Sequence, residues 1–251
     1  MSNCGRFAAV PLSTGGTGLH EWRETPSLPN LDLRECRALL IVGAHPDDET
    51  LGFGATAAQL AARGVEVRVV SASDGEAGRP ESSDLAKQCL ARERREELHA
   101  AAQVLGVPPP ITLGLPDGRL AEHETALAAV LTDILGTGPP GTWCAATWRG
   151  DGHPDHEAVG RAAARAAAAV HVPLLEYPIW MWHWARPNDP AVPWDRAFSI
   201  DLAPPFASMK TEAALSFQSQ FRRLPDGGEP ILPAFVLPRL LGVGEIAFAN
   251  G

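Results

Sequence analysis

Cys4, Cys36, Cys89 and Cys144 are the only cysteines in 251 residues, and none forms a CxxC pair. That scatter excludes a thiolate zinc knuckle and a dense disulfide framework, and reduced thiols in a cytoplasmic protein are the simpler expectation. Long apolar runs are missing too. No uncharged stretch approaches the ~18 residues of a membrane-spanning helix, and the first thirty residues hold no apolar segment behind a basic start, so neither spanning nor secretion is supported. Basic blocks are absent from a chain of net charge -9. Nucleic acid and anionic membrane are therefore not expected partners, and a small, neutral or weakly charged molecule fits better. No internal repeat and no clear linker divides the chain.

What is present is ordinary material for a core: 45% hydrophobic and 20% charged residues, which argues for a folded globular chain. Residues 1–36, with STGGTG and PSLPN, read as an irregular N-terminal arm, and residues 37–251 as a single domain. ALLIVGA (38–44) is a continuous apolar run suited to a strand buried on both faces. It leads into an alanine-rich helix over 54–64 closed by Gly64, a strand over 65–72, and a long charged-amphipathic helix over 84–105 stopped by Gly106. A short strand ITLG, a helix near 122–136, a strand WCAATW (143–148) and a helix from about 156 to 170 continue the alternation. In the C-terminal third, PLLEYPI and AFSIDL resemble strands, PFASMKTEAALSFQSQF a helix and EIAFA a last strand, separated by Pro- and Gly-rich loops. The expectation is an α/β fold: a Rossmann-like, mostly parallel sheet with helices on both faces and an irregular C-terminal third.

Ligands of such sheets collect outside the carboxyl ends of the strands. AHPDDETLGFG (44–54) follows one strand end, and RGDGHPDHE follows WCAATW at the same rim. His45-Pro46-Asp47-Asp48 and His153-Pro154-Asp155-His156 share a layout of histidine, proline, acid and a further candidate ligand three residues after the first. Like charges crowded in this way raise the cost of ionising one another, so a compensating cation is called for. Zinc held by one carboxylate and two imidazoles keeps a fourth position for water, the arrangement of a catalytic site. A surplus carboxylate is then a natural base, and a surplus histidine, protonated, suits an oxyanion and a leaving amine. Together these describe amide hydrolysis. Either cluster alone reads better as a turn or a helix cap. Two similar clusters at one rim favour a metal site, with the partition among the acids left open.

AHPDDETLGFG and GHPDHEAVGRAA resemble the two signature motifs of the PIG-L/LmbE-like family of zinc-dependent N-acetylglucosaminyl deacetylases. RREELHAAAQVLGV, with Arg94 and Glu97, and LPDG around Asp117 resemble the segments between them, so the likeness covers roughly residues 38–165. The resemblance implies His45, Asp48 and His156 as ligands of Zn2+, Asp47 as general base, His153 in the oxyanion role with Asp155 as its orienting partner, and Arg94 and Asp117 as groups gripping sugar hydroxyls. Some members carry a tyrosine two residues before the second HPDH, where this chain has Asp151, which implies a differently finished pocket. The implied activity is removal of an acetyl or other acyl group from an amino-sugar conjugate such as an N-acetylglucosaminyl compound.

Read from the residues alone, Arg94 sits on a helix face full of charge pairs and Asp117 precedes a turn glycine. Trp180, Trp182 and Trp184 alternate in IWMWHWA, so an extended strand would place them on one face, for stacking on sugar or filling a core. Glu76 in SDGEAG follows a strand end at the rim. Four rival functions differ in kind. An amidase acting on a larger sugar-thiol conjugate carries the same motifs. Gly52-x-Gly54-x-x-Ala57, with Asp74 about 20 residues on, resembles a dinucleotide-binding fingerprint, but HPDDETL intervenes before its first glycine. A non-catalytic metal- or sugar-binding module has no use for the extra acid Asp47. A two-metal phosphoesterase needs further carboxylates. The conjugate attached to the sugar and the oligomeric state are not encoded in any motif.

Overall fold

The computed structural model describes residues 2–24, 27–79, 82–223 and 229–249. Of the expected arm, Met1, Thr25 and Pro26 lie outside them. Among the described residues seven strands form one sheet: β1 (Ala38–Gly43), β2 (Glu66–Ser73), β3 (Ile111–Leu115), β4 (Thr142–Thr147), β5 (Leu174–Tyr177), β6 (Ala197–Ser199) and β7 (Ile246–Ala249). Their order is β3-β2-β1-β4-β5-β7-β6. The first five are parallel, whereas β7 is antiparallel to both β5 and β6. The chain winds outward from β1 to β3, then returns across β1 to start β4. That reversal puts the carboxyl ends of β1 and β4 side by side, which is where such sheets open a crevice.

The helices are α1 (Cys4–Ala8), α2 (Leu19–Arg23), α3 (Asp48–Ala62), α4 (Asp84–Leu105), α5 (Glu124–Gly136), α6 (Pro154–Ala169), α7 (Met181–Trp184), α8 (Pro204–Ala214), α9 (Gln218–Phe221) and α10 (Val236–Gly242). Two apolar layers enclose the sheet, as the expectation of helices on both faces requires. Leu39 and Ile41 of β1 point into one layer with Phe53, Leu98 and Leu105, and Leu40 and Val42 into the other with Leu127, Leu131 and Val159. Every residue of β1 is buried, which is why its sequence is continuously apolar rather than alternating. No helix among the described residues is long and apolar enough to cross a membrane.

Both helices that follow the site strands begin earlier than the sequence suggests. α3 starts at Asp48 rather than near 54, because Asp48 and Glu49 suit the electropositive first turn. α6 starts at Pro154, whose fixed φ suits the first helical position. Close approach explains the glycines. A Cβ at Gly52 would overlap the Tyr177 ring, and one at Gly160 would meet the backbone of Thr147 and Arg149. Gly52 therefore lies inside α3 as a packing residue, not in the turn leaving β1, and the dinucleotide reading loses its motif.

The N-terminal segment is less irregular than expected. α1 and α2 flank a 3-10 turn (Leu12–Thr14), and the segment is tied down by Asn3 N–H donating to Glu157 at 2.8 Å and by the indole N–H of Trp22 donating to the Trp182 carbonyl at 2.9 Å. Replacing Gly52 by Ala should force the Tyr177 ring aside. A loss of about 1–3 kcal/mol in unfolding free energy, read from urea denaturation, is the expected result.

Candidate active site

β1 and β4 deliver the two His-Pro-Asp clusters to one crevice. The imidazole centroids of His45, His153 and His156 lie 4.8–5.3 Å apart. Ring nitrogens of the three lie within 4.8 Å of one another, and so do the ligand atoms of His45, Asp117 and Asp155. Asp48, at the start of α3, sits between two rings: its Oδ2 is 3.6 Å from His45 Nδ1 and its Oδ1 is 3.3 Å from His156 Nε2. The backbone N–H groups of Ala44 and His45 donate to Asp48 Oδ2 at 2.9 Å, which fixes the carboxylate and leaves Oδ1 facing the crevice.

The far nitrogen of each of two imidazoles is held by a carboxylate. His156 Nδ1 lies 2.8 Å from Asp151 Oδ2, and His45 Nε2 lies 2.9 Å from Asp117 Oδ1. Protons on those nitrogens leave the lone pairs of His156 Nε2 and His45 Nδ1 turned toward Asp48, the polarity that a metal ligand needs. His156 Nε2 is also enclosed and lacks a hydrogen-bond partner among the described residues. An orphaned buried nitrogen beside a pinned carboxylate is costly unless a cation joins them. The donor set of His45, Asp48 and His156 therefore fits a metal ion.

Asp151 is itself fully buried. Its carboxylate accepts from the N–H groups of Ile179, Trp180 and Met181 at 2.9–3.0 Å, and its carbonyl accepts from the Trp184 indole at 2.7 Å. It lies behind His156 and is not among the residues that line the pocket. The resemblance marked this position but not its role, since its partners are the backbone of a segment some thirty residues on.

Asp155 differs from its expected placement. Its Oδ2 accepts from Gly118 N–H at 2.7 Å and stands 3.3 Å from His45 Nε2, while Oδ1 accepts from Leu120 N–H at 3.1 Å. The carboxylate supports His45 and the Asp117 loop. Only its backbone N–H reaches His153, donating to Nδ1 at 3.3 Å, because as the residue after Pro154 in the first turn of α6 it points its side chain across the rim. His153 Nε2 is then the nitrogen left to carry a proton. Burial, followed by the neighbouring imidazoles of His156 and His45, pushes His153 down to about 3. That environment favours the neutral ring, with Nε2 as the donor.

Asp47 and Asp48 are consecutive carboxylates with opposite electrostatics. Burial raises Asp47 to about 7 against the pull of Arg94. For Asp48, burial is outweighed by the imidazoles of His156 and His45, and its carboxyl is held well below the usual range. Asp47 has φ 127°, a left-handed strain of about 1–3 kcal/mol for a non-glycine residue. Arg94 stands against it: Nη2 is 3.3 Å from Asp47 and donates to the Pro46 carbonyl at 2.6 Å, while Nη1 donates to Gly75 at 3.0 Å. Arg94 is thus a buried brace for the HPDD turn that also lines the cavity. Asp117, committed to His45 and to the Ala77 N–H at 2.7 Å, is likewise occupied by protein groups. Glu76 accepts from Asp117 N–H at 3.0 Å and so acts through that loop.

The cavity above these groups has a volume of about 130 Å³ and is roofed by Trp180, Gln220, Leu232, Val236 and Leu240. Gln220 and the roof were invisible to motif reading. Trp182 and Trp184 are absent from it, because IWMWHWA forms the turn of helix α7 and not a strand. Trp182 packs edge-on against Trp22 with centroids 4.9 Å apart, so these two rings are core.

Residues 40–167 match the PIG-L family, described as GlcNAc-PI de-N-acetylase. The 1D-myo-inositol 2-acetamido-2-deoxy-alpha-D-glucopyranoside deacetylase of Kineococcus radiotolerans is 29% identical over 252 residues, covering 86% of this chain and 64% of that protein. The chain spans 60–64% of the length of this and two further curated relatives. Conserved protein TT1542 of Thermus thermophilus is 30% identical with a TM-score of 0.54, over 73% of this chain and 79% of that one. The N,N'-diacetylchitobiose deacetylase of Pyrococcus horikoshii shares the fold at 24% identity and a TM-score of 0.58, over 76% of this chain and 75% of that one.

Removal of the carboxylate behind His156 should weaken metal binding without emptying the donor set. Asp151→Ala is expected to lower zinc affinity by about 10–100-fold, measured by competition with a chelator. Metal uptake should also depend on pH. Burial alone would lower His45, but Asp117, Asp155 and Asp48 together raise it well above its ordinary value. A proton must leave that ring before it becomes a ligand, so affinity falls as pH drops through the raised pKa, by about tenfold per pH unit for one displaced proton. Zinc titrations across pH check this slope.

Proposed function

We propose that this chain, which belongs to the PIG-L family, is a zinc-dependent hydrolase that removes the acyl group from the nitrogen of an N-acetylglucosaminyl conjugate. The observation that carries the reading is the convergence of His45 Nδ1, Asp48 Oδ1 and the unpartnered His156 Nε2 beside a separate, strained carboxylate. A bound zinc ion would supply Lewis acidity toward the amide oxygen and lower the pKa of water.

Asp47 takes the proton of the attacking water. Its carboxyl, raised to about 7, is basic enough to accept that proton and acidic enough to return it. The water oxygen bonds to the amide carbon, and negative charge develops on the former carbonyl oxygen. His153, with Nδ1 occupied by the Asp155 N–H, offers its Nε2–H to that oxygen. Collapse breaks the C–N bond, and the proton held on Asp47 passes to the departing nitrogen, giving a carboxylic acid and a free amine. Arg94 keeps Asp47 in place through the backbone of Pro46. The cavity of about 130 Å³ has room for a group the size of an acetamide. The curated relatives' inositol conjugate and the chitobiose of the Pyrococcus enzyme both present such a group.

A base that is not a ligand predicts a separation of two readouts. Asp47→Ala should retain zinc near the wild-type stoichiometry while kcat falls by about 10²–10⁴-fold. Metal analysis and acetate release from a panel of N-acetylglucosamine conjugates test it. Loss of zinc with turnover surviving in reconstituted protein would exchange the roles of Asp47 and Asp48, and no release from any acylated amino sugar would remove the proposed activity.

A further inference from the structure

His153, which meets the oxyanion in the proposed reaction, is held only loosely by polar contact. The Asp155 N–H reaches its Nδ1 at 3.3 Å, at the long end of hydrogen-bond distances, so packing has to fix the direction in which Nε2–H points. Rings supply that packing. His45 and His156 lie against His153 with centroids 5.1 and 4.8 Å away, and both of these are among the proposed zinc ligands. A third ring against it belongs to Phe7, tilted by 50° with its centroid at 6.3 Å. Phe7 comes from α1, outside the matched residues 40–167.

α1 is built onto the turn that carries His153. The Asn3 side-chain amide donates to the Gly150 carbonyl at 2.7 Å, and the Asn3 N–H donates to Glu157 Oε1 at 2.8 Å, the oxygen that also accepts from Gly152 N–H at 3.2 Å. Gly152 stands at φ 94°. A Cβ there would come to 2.8 Å from both Phe7 Cβ and the Trp184 indole nitrogen, so the turn is closed down on Phe7. The Phe7 ring also packs on Trp180, a wall of the cavity, at 5.1 Å and edge-on to His183 at 6.0 Å. A second clamp secures the chain that leaves α1. Arginine only donates, so His183 Nδ1 accepts from Arg239 at 3.2 Å, and His183 Nε2–H donates to the Val10 carbonyl at 2.9 Å. Arg239 donates in addition to the Gly15 carbonyl. The segment bearing Phe7 is thus anchored on both sides of it.

We propose that Phe7 is a positioning residue of the active site: wedged between Trp180 and the turn at 150–153, it holds the His153 ring so that Nε2–H meets the developing oxyanion. The role of His153 rests on the deacetylase reading, whereas the contact with Phe7 does not. Such a prop matters because misplacing a stabilising group by about 1 Å can cost on the order of a hundredfold in rate.

The test is a double-mutant cycle on the zinc-loaded full chain, read by acetate release from methyl N-acetylglucosaminide. Phe7→Ala should lower kcat by about 10–100-fold, with KM within about twofold of wild type because the donor acts only in the transition state. Zinc stoichiometry should stay at the wild-type value. Phe7→Leu, which keeps apolar bulk against the ring, should recover kcat to within about threefold of wild type. In a His153→Ala background, Phe7→Ala should change kcat by less than about twofold, since no ring remains to be held. An equal fall in both backgrounds, or a change confined to KM, overturns the proposal. Proton–carbon NMR of the histidine rings reads the contact without turnover. The His153 signals, assigned by their loss in His153→Ala, should be single and sharp in wild type and Phe7→Leu but broadened or doubled in Phe7→Ala. Single, sharp His153 signals in Phe7→Ala overturn the proposal as well. If no acylated amino sugar turns over, the proposed activity fails, and the NMR signals still decide whether Phe7 holds the ring.

Discussion

Too many carboxylates for the available positive charge is the condition to which the rest of the structure answers. Asp47, Asp48, Asp151 and Asp155 are all buried around His45 and His156, and Arg94 is the cation that reaches Asp47. Repulsion inside a low-dielectric crevice is severe, and neutralisation by protons or by a metal are the two ways to relieve it. The fold favours the second. Backbone N–H groups hold the carboxylates of Asp48, Asp151 and Asp155 in place, and His156 Nε2 is left facing Asp48 without a hydrogen-bond partner among the described residues. A sheet that reverses its winding between β1 and β4 supplies the crevice in which this imbalance is possible.

Division of labour between Asp47 and Asp48 follows from backbone rather than from side-chain chemistry. The residues are identical and adjacent. Asp48 occupies the first helical position, where its oxygen collects two N–H donors and the helix end favours its charge. Asp47, held at φ 127°, lines the cavity, and Arg94 is its ion-pair partner among the described residues. One acid is thus kept ionised and the other close to neutrality, the pattern by which paired carboxylates acquire different roles. The strain at Asp47 is retained because Arg94, anchored on the Gly75 carbonyl, grips the carbonyl of Pro46 beside it.

Much of this was legible in the chain because the relevant signals are local. The unbroken apolar run of β1, the stop at Gly106 and the repeated His-Pro-Asp spacing each depend on neighbours in sequence. EIAFA and PLLEYPI were readable as strands for the same reason, although their antiparallel pairing leaves no trace in either segment. What escaped depends on distant backbone. Asp151 acquires its place from the N–H groups of 179–181, and Asp155 from the loop at 118–120. The tryptophan alternation misled because a turn of helix and a strand are indistinguishable over so short an apolar run.

The division of the site between two parts of the chain explains why chemistry was easier to read than substrate. His45, Asp47, Asp48, Arg94, Asp117, His153 and His156 all fall within the family match at 40–167. The roof of the cavity does not: Trp180, Gln220, Leu232, Val236 and Leu240 come from the C-terminal third. An amide carbonyl demands the same donors whatever carries it, so the floor is constrained by the reaction. Conjugates differ in size, polarity and charge beyond the sugar, and on the proposed reading the roof is the part of the cavity free to vary with them. Glu97 joins the two, since it lies on α4 within the matched region and holds Ser219 beside Gln220. A change in the C-terminal third can therefore alter which conjugate is admitted while leaving the order of proton transfers intact.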